Sequence, residues 1–245
     1  MKNKKQFFTM TPAVPVTVFI VLCFVIWGIG WKLIHAHIFR ITEIISRDAD
    51  TADLGHLKGK NIFTVNLKEE AHRLSQEYPA YRKVRLIRIF PDRIYIDLIK
   101  RKPLAYVKLY RHFCVDDERV LFEVPREMEE GDLPVITGLE KRIPVAHPGA
   151  RHNVKELTFA LAIIKAAQGF PFARDYGIKR IDVSGGINAS FFIGGGTEVK
   201  VSPENLKDKM AILAGILQGS ANEIDKIKYV DLRFKEPVLK LKDDK

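Results

Sequence analysis

The sequence predicts an α+β protein with a single N-terminal transmembrane helix, a βααββ domain, and a mixed α/β domain ending in a mainly antiparallel sheet. Three observations support this fold class. No charged side chain occurs between Gln6 and Trp31, short runs rich in β-branched and aromatic residues recur through the remaining chain, and amphipathic helical spacings separate those runs. The 245 residues leave room for two ordinary domains after the apolar stretch.

The apolar stretch at residues 14–31 is long enough to cross a bilayer, because about 20 residues at about 1.5 Å each span the hydrocarbon core. Preceding lysines predict that residues 1–12 are a cytoplasmic tail, that residues 13–35 span the membrane, and that the rest is extracytoplasmic. The alternative is a cleaved signal peptide, which the apolar length and the lack of a small-residue cleavage site disfavour. The membrane-anchor residues are Phe19, Leu22, Phe24, Trp27 and Trp31.

Charge and cysteine content narrow the classes of function. The net charge is +10, and the basic residues are scattered, which is typical of a solvated surface and not of a nucleic-acid binder. Cys23 falls in the predicted span and Cys114 in the exported part, so no intrachain disulfide framework is available. We therefore expect packed apolar cores to stabilise the exported domains.

The first exported domain is predicted at residues 36–103. Its elements follow in the order strand, helix, helix, strand, strand, at residues 38–45, 50–59, 66–78, 81–90 and 93–100. Asp50 is the expected N-cap of the first helix, and Asn66 with Glu69 forms a capping-box-like start for the second. Basic residues concentrate on the last two strands. We expect them to face solvent. Contact with anionic head groups or with an acidic partner is the alternative.

The second exported domain is predicted at residues 104–245. Strands are expected at residues 178–183, 189–193, 198–201, 227–234 and 238–241. Asn153 with Glu156 is expected to start one helix, and Ser202, with Pro203 after it, is expected to cap a second. The glycines at 194–196 favour a hairpin turn over a phosphate-binding loop, because no lysine follows them.

Several motifs in this order resemble a known family. R-x-F-P occupies residues 88–91, R-x-P-x-A residues 101–105, L-P-x-I-x-G residues 133–138 and Y-V-D-L-R residues 229–233. The first two, with the preceding G-x-N-x-F at residues 59–63, resemble the polypeptide-transport-associated (POTRA) domain of the FtsQ/DivIB bacterial cell-division family. The others resemble the C-terminal β domain of that family. Residues 112–117 with 120–122 are similar to a strand, an acidic turn and a return strand of the family, although the usual turn glycine is absent. The resemblance covers nearly the whole chain.

The resemblance implies a non-catalytic, bitopic scaffold of the divisome in the inner membrane, concentrated at the septum. Such a protein links FtsB-like and FtsL-like single-span coiled-coil partners to septal wall synthases. Carried over by position, the partner-binding residues are Tyr229, Arg233, Phe234, Val238, Leu239 and Leu241. Residues 235–237 replace the usual glycine-containing turn, so the pairing register stays open. An ordinary closing strand guarded by lysines is the alternative for this edge.

The residues themselves indicate no enzyme. The sequence contains no G-x-S-x-G, no H-E-x-x-H and no phosphate-cradling glycine loop with its lysine, so we expect no catalytic, cofactor-binding or metal site. His35 and His37 are more typical of interfacial polar residues than of metal ligands. The alternative function is a POTRA-type polypeptide-handling or chaperone-like module of an export system, which would normally contain a repeated module or a membrane barrel. We expect neither nucleic acid nor a small molecule as ligand.

Overall fold

The computed structural model describes residues 13–46, 54–125, 128, 131, 133–219 and 224–242. The protein is α+β with a large mixed sheet, which confirms the predicted class. The described residues form two compact units. The first draws on Met1–Ser75 and Lys83–Ile99, and the second on Gln76–Arg82 and Lys100–Lys245.

The first helix, α1 (Ala13–Ile34), contains a single charged residue, Lys32. The predicted anchor residues Phe19, Leu22, Phe24, Trp27 and Trp31 all lie on it with exposed side chains. Within the described residues, no helix meets the length and apolarity that crossing a membrane requires. The membrane span therefore stays a prediction.

The rest of the first unit is a three-stranded sheet with one helix. Its elements are β1 (Glu43–Ser46), α2 (Leu67–Glu77), β2 (Tyr81–Ile89) and β3 (Arg93–Lys100). The strand order is β1-β3-β2, and β1 runs parallel to β3. The predicted start of α2 is confirmed, because Asn66 Oδ1 accepts a hydrogen bond from the Glu69 amide at 3.3 Å.

Two predicted elements at the start of this unit differ in the structure. The strand expected at residues 38–45 is shortened to β1, because the preceding chain pairs elsewhere: the Ile41 amide donates to Lys60 O, and the Ile62 amide to Phe39 O. Of the helix expected at residues 50–59, Asp50 lies outside the described residues. The described part forms only a short 3₁₀ turn, Gly55–Leu57, where a glycine disfavours an α-helix.

The arginine of the R-x-F-P motif connects the sheet of the first unit to a loop. Arg88 donates from Nε to Ile62 O at 2.8 Å and from Nη2 to Val65 O at 2.7 Å. These bonds satisfy two carbonyls of the turn that precedes α2, beside the fully buried Ile62. Arg88 is thus a structural tether and not one of the solvent-facing charges expected on this strand.

The second unit is built on a nine-stranded sheet. Its strands are β4 (Ala105–Lys108), β5 (His112–Val115), β6 (Leu121–Phe122), β7 (Val135–Thr137), β8 (Ile178–Asp182), β9 (Ala189–Ile193), β10 (Glu198–Val201), β11 (Ile227–Asp231) and β12 (Val238–Leu241). The order is β12-β11-β10-β9-β8-β7-β4-β5-β6. The pairs β10–β11, β7–β8 and β4–β7 are parallel and the other five are antiparallel, so the sheet is mixed.

Helices pack with this sheet around a single large core. They are α3 (Lys155–Ala167), α4 (Pro171–Asp175) and α5 (Leu206–Gly219). Apolar residues of these helices, such as Leu157 and Leu213, form one buried cluster with Ile136, Phe191 and Val230 of the strands. Tyr106, Cys114 and Phe122, at the β4–β6 end of the sheet, form a separate, smaller cluster. The side-chain alternation along each strand places these two sets on opposite faces.

Both helix starts predicted for this unit were wrong. Val154, not Asn153, precedes α3, and no side chain caps its amides. The last helix begins at Leu206 instead of after Ser202, because Asn205 adopts a φ of +51°, which is incompatible with a continuous α-helix. The Ser202 hydroxyl instead accepts a short hydrogen bond from Lys209 Nζ.

The glycine of the L-P-x-I-x-G motif has a clear steric role. Gly138 follows β7 with a φ of +89°, and a Cβ at this position would lie 2.5 Å from the Ser184 amide nitrogen. Only glycine permits both this left-handed backbone and the close approach of the chain after β8. The motif therefore marks the point where the ends of two parallel neighbours, β7 and β8, come together.

The arginine of the R-x-P-x-A motif makes a buried ion pair in the second unit. Arg101 Nη1 lies 2.6 Å from Asp116 Oδ2, and the two side chains are 11% and 1% exposed. Arg101 Nε also donates to Pro79 O at 3.0 Å, and the Arg101 amide donates to Ala80 O. The other oxygen of Asp116 accepts from the amides of Glu118 and Val120, which orders the turn between β5 and β6.

We predict that Arg101→Met destabilises the second unit by about 3 kcal/mol, because it leaves the buried Asp116 carboxylate without its cation. Chemical denaturation of the detergent-solubilised chain, followed by circular dichroism, measures the change. The matched control is Arg85→Met, which removes the partly exposed Arg85–Asp97 pair and should cost under about 1 kcal/mol. Equal losses for the two variants would show that burial of the Arg101 pair contributes nothing.

Candidate partner-binding edge

The strand β12 forms one edge of the nine-stranded sheet, next to β11. The two strands are antiparallel, with Val238 opposite Asp231, Leu239 opposite Val230 and Lys240 opposite Tyr229. Beyond β12 no further described strand is paired, so its outer backbone groups face away from the sheet. Such a rim can accept an extended segment of another chain through main-chain hydrogen bonds.

The predicted contact residues gather on this edge with different degrees of exposure. Phe234, Val238, Leu239 and Leu241 are 41–63% exposed, which is unusual for large apolar side chains so close in sequence. Tyr229 is half-buried on β11, where Lys200 Nζ lies 4.7 Å from its ring centroid. The structure thus brings all six residues, including Arg233, into one region around β11 and β12.

Pro237 lies just outside the strand, whose first residue is Val238. A proline cannot donate to a ladder, but it is tolerated immediately before a strand or at an edge. The register of β12 is therefore defined without Pro237. An irregularity in the pairing falls instead between Ile227 and Tyr229 on β11.

The turn that leads into β12 is held by the D-x-R part of the Y-V-D-L-R motif. Asp231 is buried, and its oxygens accept hydrogen bonds from Arg233 at three nitrogens: the amide at 3.0 Å, Nε at 2.9 Å and Nη2 at 2.5 Å. Hydrogen bonding by the Arg233 side chain lowers the pKa of Asp231 below its ordinary 3.8 and keeps the carboxylate charged. Arg233 is thus engaged in structure as well as being partly accessible to a partner.

Charged and polar side chains on the open face of the sheet were missed by the sequence analysis. The pairing registers align Asp182, Ser190, Lys200 and Asp231 in one row across β8 to β11, ending at Val238 of β12. Together with Glu198 and Arg233, most of them line a shallow polar cavity of about 330 Å³. The available signal was the alternation of apolar and charged residues in β10, which places Glu198 and Lys200 opposite the core.

The described residues contain no group of three or more histidine, cysteine, aspartate or glutamate side chains arranged to hold a metal ion. Cys114 is buried in the sheet, and burial raises the pKa of its thiol to about 11, so the reactive thiolate is scarce at neutral pH. The features of the surface around β11 and β12 that could contact a partner are the unpaired backbone edge of β12, exposed apolar side chains and charged side chains.

Comparisons with known proteins agree with this architecture. Residues 105–233 match the family model "Cell division protein FtsQ/DivIB, C-terminal", which is just over half of the chain and ends before β12. The chain is 28% identical over 197 residues to the cell division protein FtsQ of Geobacter sp. (strain M21), covering 80% of this chain and 70% of that protein. It is 25% identical over 202 residues to FtsQ of Koribacter versatilis (strain Ellin345), covering 80% of this chain and 56% of that protein.

The fold and the edge define the second unit as an α+β domain with an exposed apolar edge strand. The match to the family model, together with the relatives, shows which family the chain belongs to. The chain belongs to the FtsQ/DivIB family of cell division proteins, which confirms the resemblance found in the sequence motifs. The matched region spans little more than half of the Koribacter versatilis relative, so the activity and partners of a whole relative are matters of proposal for this chain.

We predict that Arg233→Gln raises the pKa of Asp231 toward its ordinary value, because the hydrogen bonds that lower it are lost. Stabilisation from this pair should be fully present above the ordinary pKa and should disappear as the pH falls through the lowered one. The stability difference between wild type and variant, measured by denaturation from neutral to acidic pH, should shrink on acidification. Arg174→Gln, which removes the exposed Arg174–Asp175 pair, is the control and should show a small difference throughout. A difference that grows on acidification would contradict the assignment.

Proposed function

We propose that this protein is a non-catalytic scaffold of the bacterial division septum, anchored by α1 in the inner membrane with both compact units outside the cytoplasm. In this proposal its β12 edge binds extended segments of small single-span coiled-coil proteins of the FtsB and FtsL type and links them to septal wall-synthesis enzymes. The observation that carries it is the exposed rim of β12 with four apolar side chains around it, in a chain of the FtsQ/DivIB family.

The β12 rim is favoured because it offers two kinds of contact together. Backbone donors and acceptors along an edge strand give affinity to any extended peptide, and side chains that alternate along the strand give selectivity. Leu239 and Leu241 lie opposite the buried Val230 and Ile227, on the core face of the sheet, but are themselves exposed. A docked segment could cover these two side chains and so extend the core by one strand.

The open face beside the rim supplies fixed charges for orientation. Asp231 and Arg233 neutralise each other, whereas Lys200 lies 3.8 Å from Glu198 and also over the Tyr229 ring. Partly exposed charges of this kind contribute little affinity but penalise mismatched partners. The proposal therefore assigns affinity to the rim and apolar residues, and orientation to the charged row.

Residues 36–103 are proposed as the POTRA domain, residues 104–245 as the β domain, and residues 1–12 as a cytoplasmic tail. Support comes from the three-stranded sheet with its order β1-β3-β2 and from the motif residue Arg88, which holds the turn before α2. The second candidate function is polypeptide handling by this POTRA-type domain, as in export systems. The strand β2 at the edge of its sheet is the observation that favours it.

We predict that Leu239→Asp combined with Leu241→Asp weakens co-purification with FtsB-like and FtsL-like partners at least tenfold, or about 1.4 kcal/mol. Charges at these positions would have to be desolvated on docking, whereas in the free protein both sites are exposed. Stability should therefore change by less than about 0.5 kcal/mol. Affinity capture from division-competent cells, followed by quantitative mass spectrometry, measures partner recovery.

The matched control for this prediction is Ile187→Asp, which adds a charge at a highly exposed apolar residue elsewhere in the second unit. Partner recovery should be unchanged for this control. Undiminished recovery with the double variant would remove β12 from the proposed interface. A fluorescent fusion that failed to gather at mid-cell would contradict the septal role itself.

We also predict that Leu22→Arg combined with Phe24→Arg releases the protein from membranes, because each arginine at the centre of a spanning helix costs about 3 kcal/mol. Extraction of the membrane fraction with alkaline carbonate should leave wild type in the pellet and the variant in the supernatant. The conservative pair Leu22→Ile and Phe24→Leu should stay in the pellet. Release of wild type under the same conditions would contradict the proposed anchor.

A further inference from the structure

Three phenylalanine rings form a continuous cluster in the first unit, in which Phe39 is half-buried and the other two are exposed. The ring centroids of Phe39 and Phe63 are 5.1 Å apart, and those of Phe63 and Phe90 are 5.3 Å apart. Phe63 and Phe90 are 42% and 57% exposed, and the neighbouring Ile38 is 61% exposed. Large apolar side chains gathered at a surface in this way are costly in water and mark an interaction site. We call Ile38, Phe39, Phe63 and Phe90 the aromatic cluster.

The aromatic cluster follows α1 closely along the chain. Phe39 is only five positions after Ile34, the last residue of α1, so their Cα atoms can be at most about 18 Å apart. A second series of ring contacts lies at the end of the helix. The ring centroids of Trp27 and Trp31 are 5.8 Å apart, and those of Trp31 and His35 are 4.3 Å apart. If α1 spans a bilayer, this reach keeps the cluster near the headgroup zone, which is about 5–8 Å deep on each side.

The charge around the aromatic cluster is predominantly positive. Its residues lie in three segments, at residues 36–42, 54–65 and 86–91, and none of these segments contains an aspartate or glutamate. The flanking acids Glu43 and Asp92 both lie within 4.0 Å of Arg93, which offsets part of their charge. Arg40, Lys58 and Lys60 are exposed beside the aromatic cluster, and Arg40 pairs in a β-bridge with Asn61, two residues before Phe63. Each basic residue near an anionic membrane surface adds about 1 kcal/mol of attraction. Aromatic side chains with basic neighbours favour the interface of such a membrane.

We propose that the aromatic cluster inserts into the headgroup region of an anionic lipid bilayer and holds the first unit against the membrane surface. This proposal rests on the proposed anchoring by α1 and goes beyond it, because a helix alone leaves the unit free to move above the bilayer. The occupant is the bilayer because the cluster combines its closeness to the end of α1 with the exposed basic residues Arg40, Lys58 and Lys60 in its own segments. A cluster that is instead covered by a protein partner would stay in water when the chain is alone in a bilayer, and its resonance would then persist with a headgroup-labelled lipid.

The test uses the full chain in nanodiscs of phosphatidylglycerol and phosphatidylethanolamine, with all tryptophans replaced by 5-fluorotryptophan. Phe63→Trp introduces a third fluorine resonance beside those of Trp27 and Trp31, and Phe90→Trp serves as a second probe should the first disturb folding. A lipid carrying gadolinium at its headgroup should abolish the introduced resonance. A soluble gadolinium chelate should leave it largely intact. Arg40→Gln with Lys60→Gln should restore the signal in the presence of the gadolinium lipid.

The control is Tyr110→Trp, which places a probe at an exposed aromatic position of the second unit. Loss of this resonance to the same extent overturns the proposal, because bilayer contact would then not be a property of the aromatic cluster. Persistence of the cluster resonance with the gadolinium lipid also overturns it, while protection of Trp27 and Trp31 from the soluble chelate shows that the anchor stands. Exposure of Trp27 and Trp31 to the soluble chelate overturns the anchor and the inference together.

Discussion

Burial of one face of the nine-stranded sheet under α3, α4 and α5 is the constraint on which the rest of the second unit depends. Strand residues such as Ile136, Phe191 and Val230 are fully buried in the same cluster as Leu157 and Leu213 of the helices. Coverage fades at the β12 edge, where both the core-facing and the open-facing side chains are exposed. The surface proposed for recognition is therefore the part of the sheet that the helices do not cover.

The motif residues that resemble the family stabilise places where separate segments of the chain come close together. Arg88 satisfies carbonyls of the turn before α2, Arg101 joins Pro79 O to the buried Asp116, and Gly138 allows the chain after β8 to pass. Each position tolerates few alternatives, because a guanidinium supplies several donors in a fixed geometry and only glycine lacks a Cβ. The residues at the candidate interface are chemically ordinary by comparison.

The sequence predicted seven of the nine described strands of the second unit, without β4 and β7, and it predicted the helix starts poorly. Strands at residues 189–193 and 198–201 were found with their bounds because alternation on a half-buried sheet leaves a period of two. Ser202 is a residue type that often serves as an N-cap. Here its hydroxyl accepts a hydrogen bond from Lys209, and the positive φ of Asn205 makes the helix begin later. No local sequence pattern reveals either feature. The charged row from Asp182 to Asp231 likewise depends on the strand order of the sheet. Its strands β10 and β11 are neighbours in the sheet although α5 lies between them in the sequence.

The strand β12 contains four residues, which corresponds to about 13 Å of backbone. A ladder so short allows only a few main-chain hydrogen bonds, each with a small net free energy. One extended segment docked there would dissociate readily, while two segments carried by a joined pair of chains would raise each other's effective concentration. If β12 is the docking strand, as proposed, its short length would make each single contact reversible and only a complete complex durable.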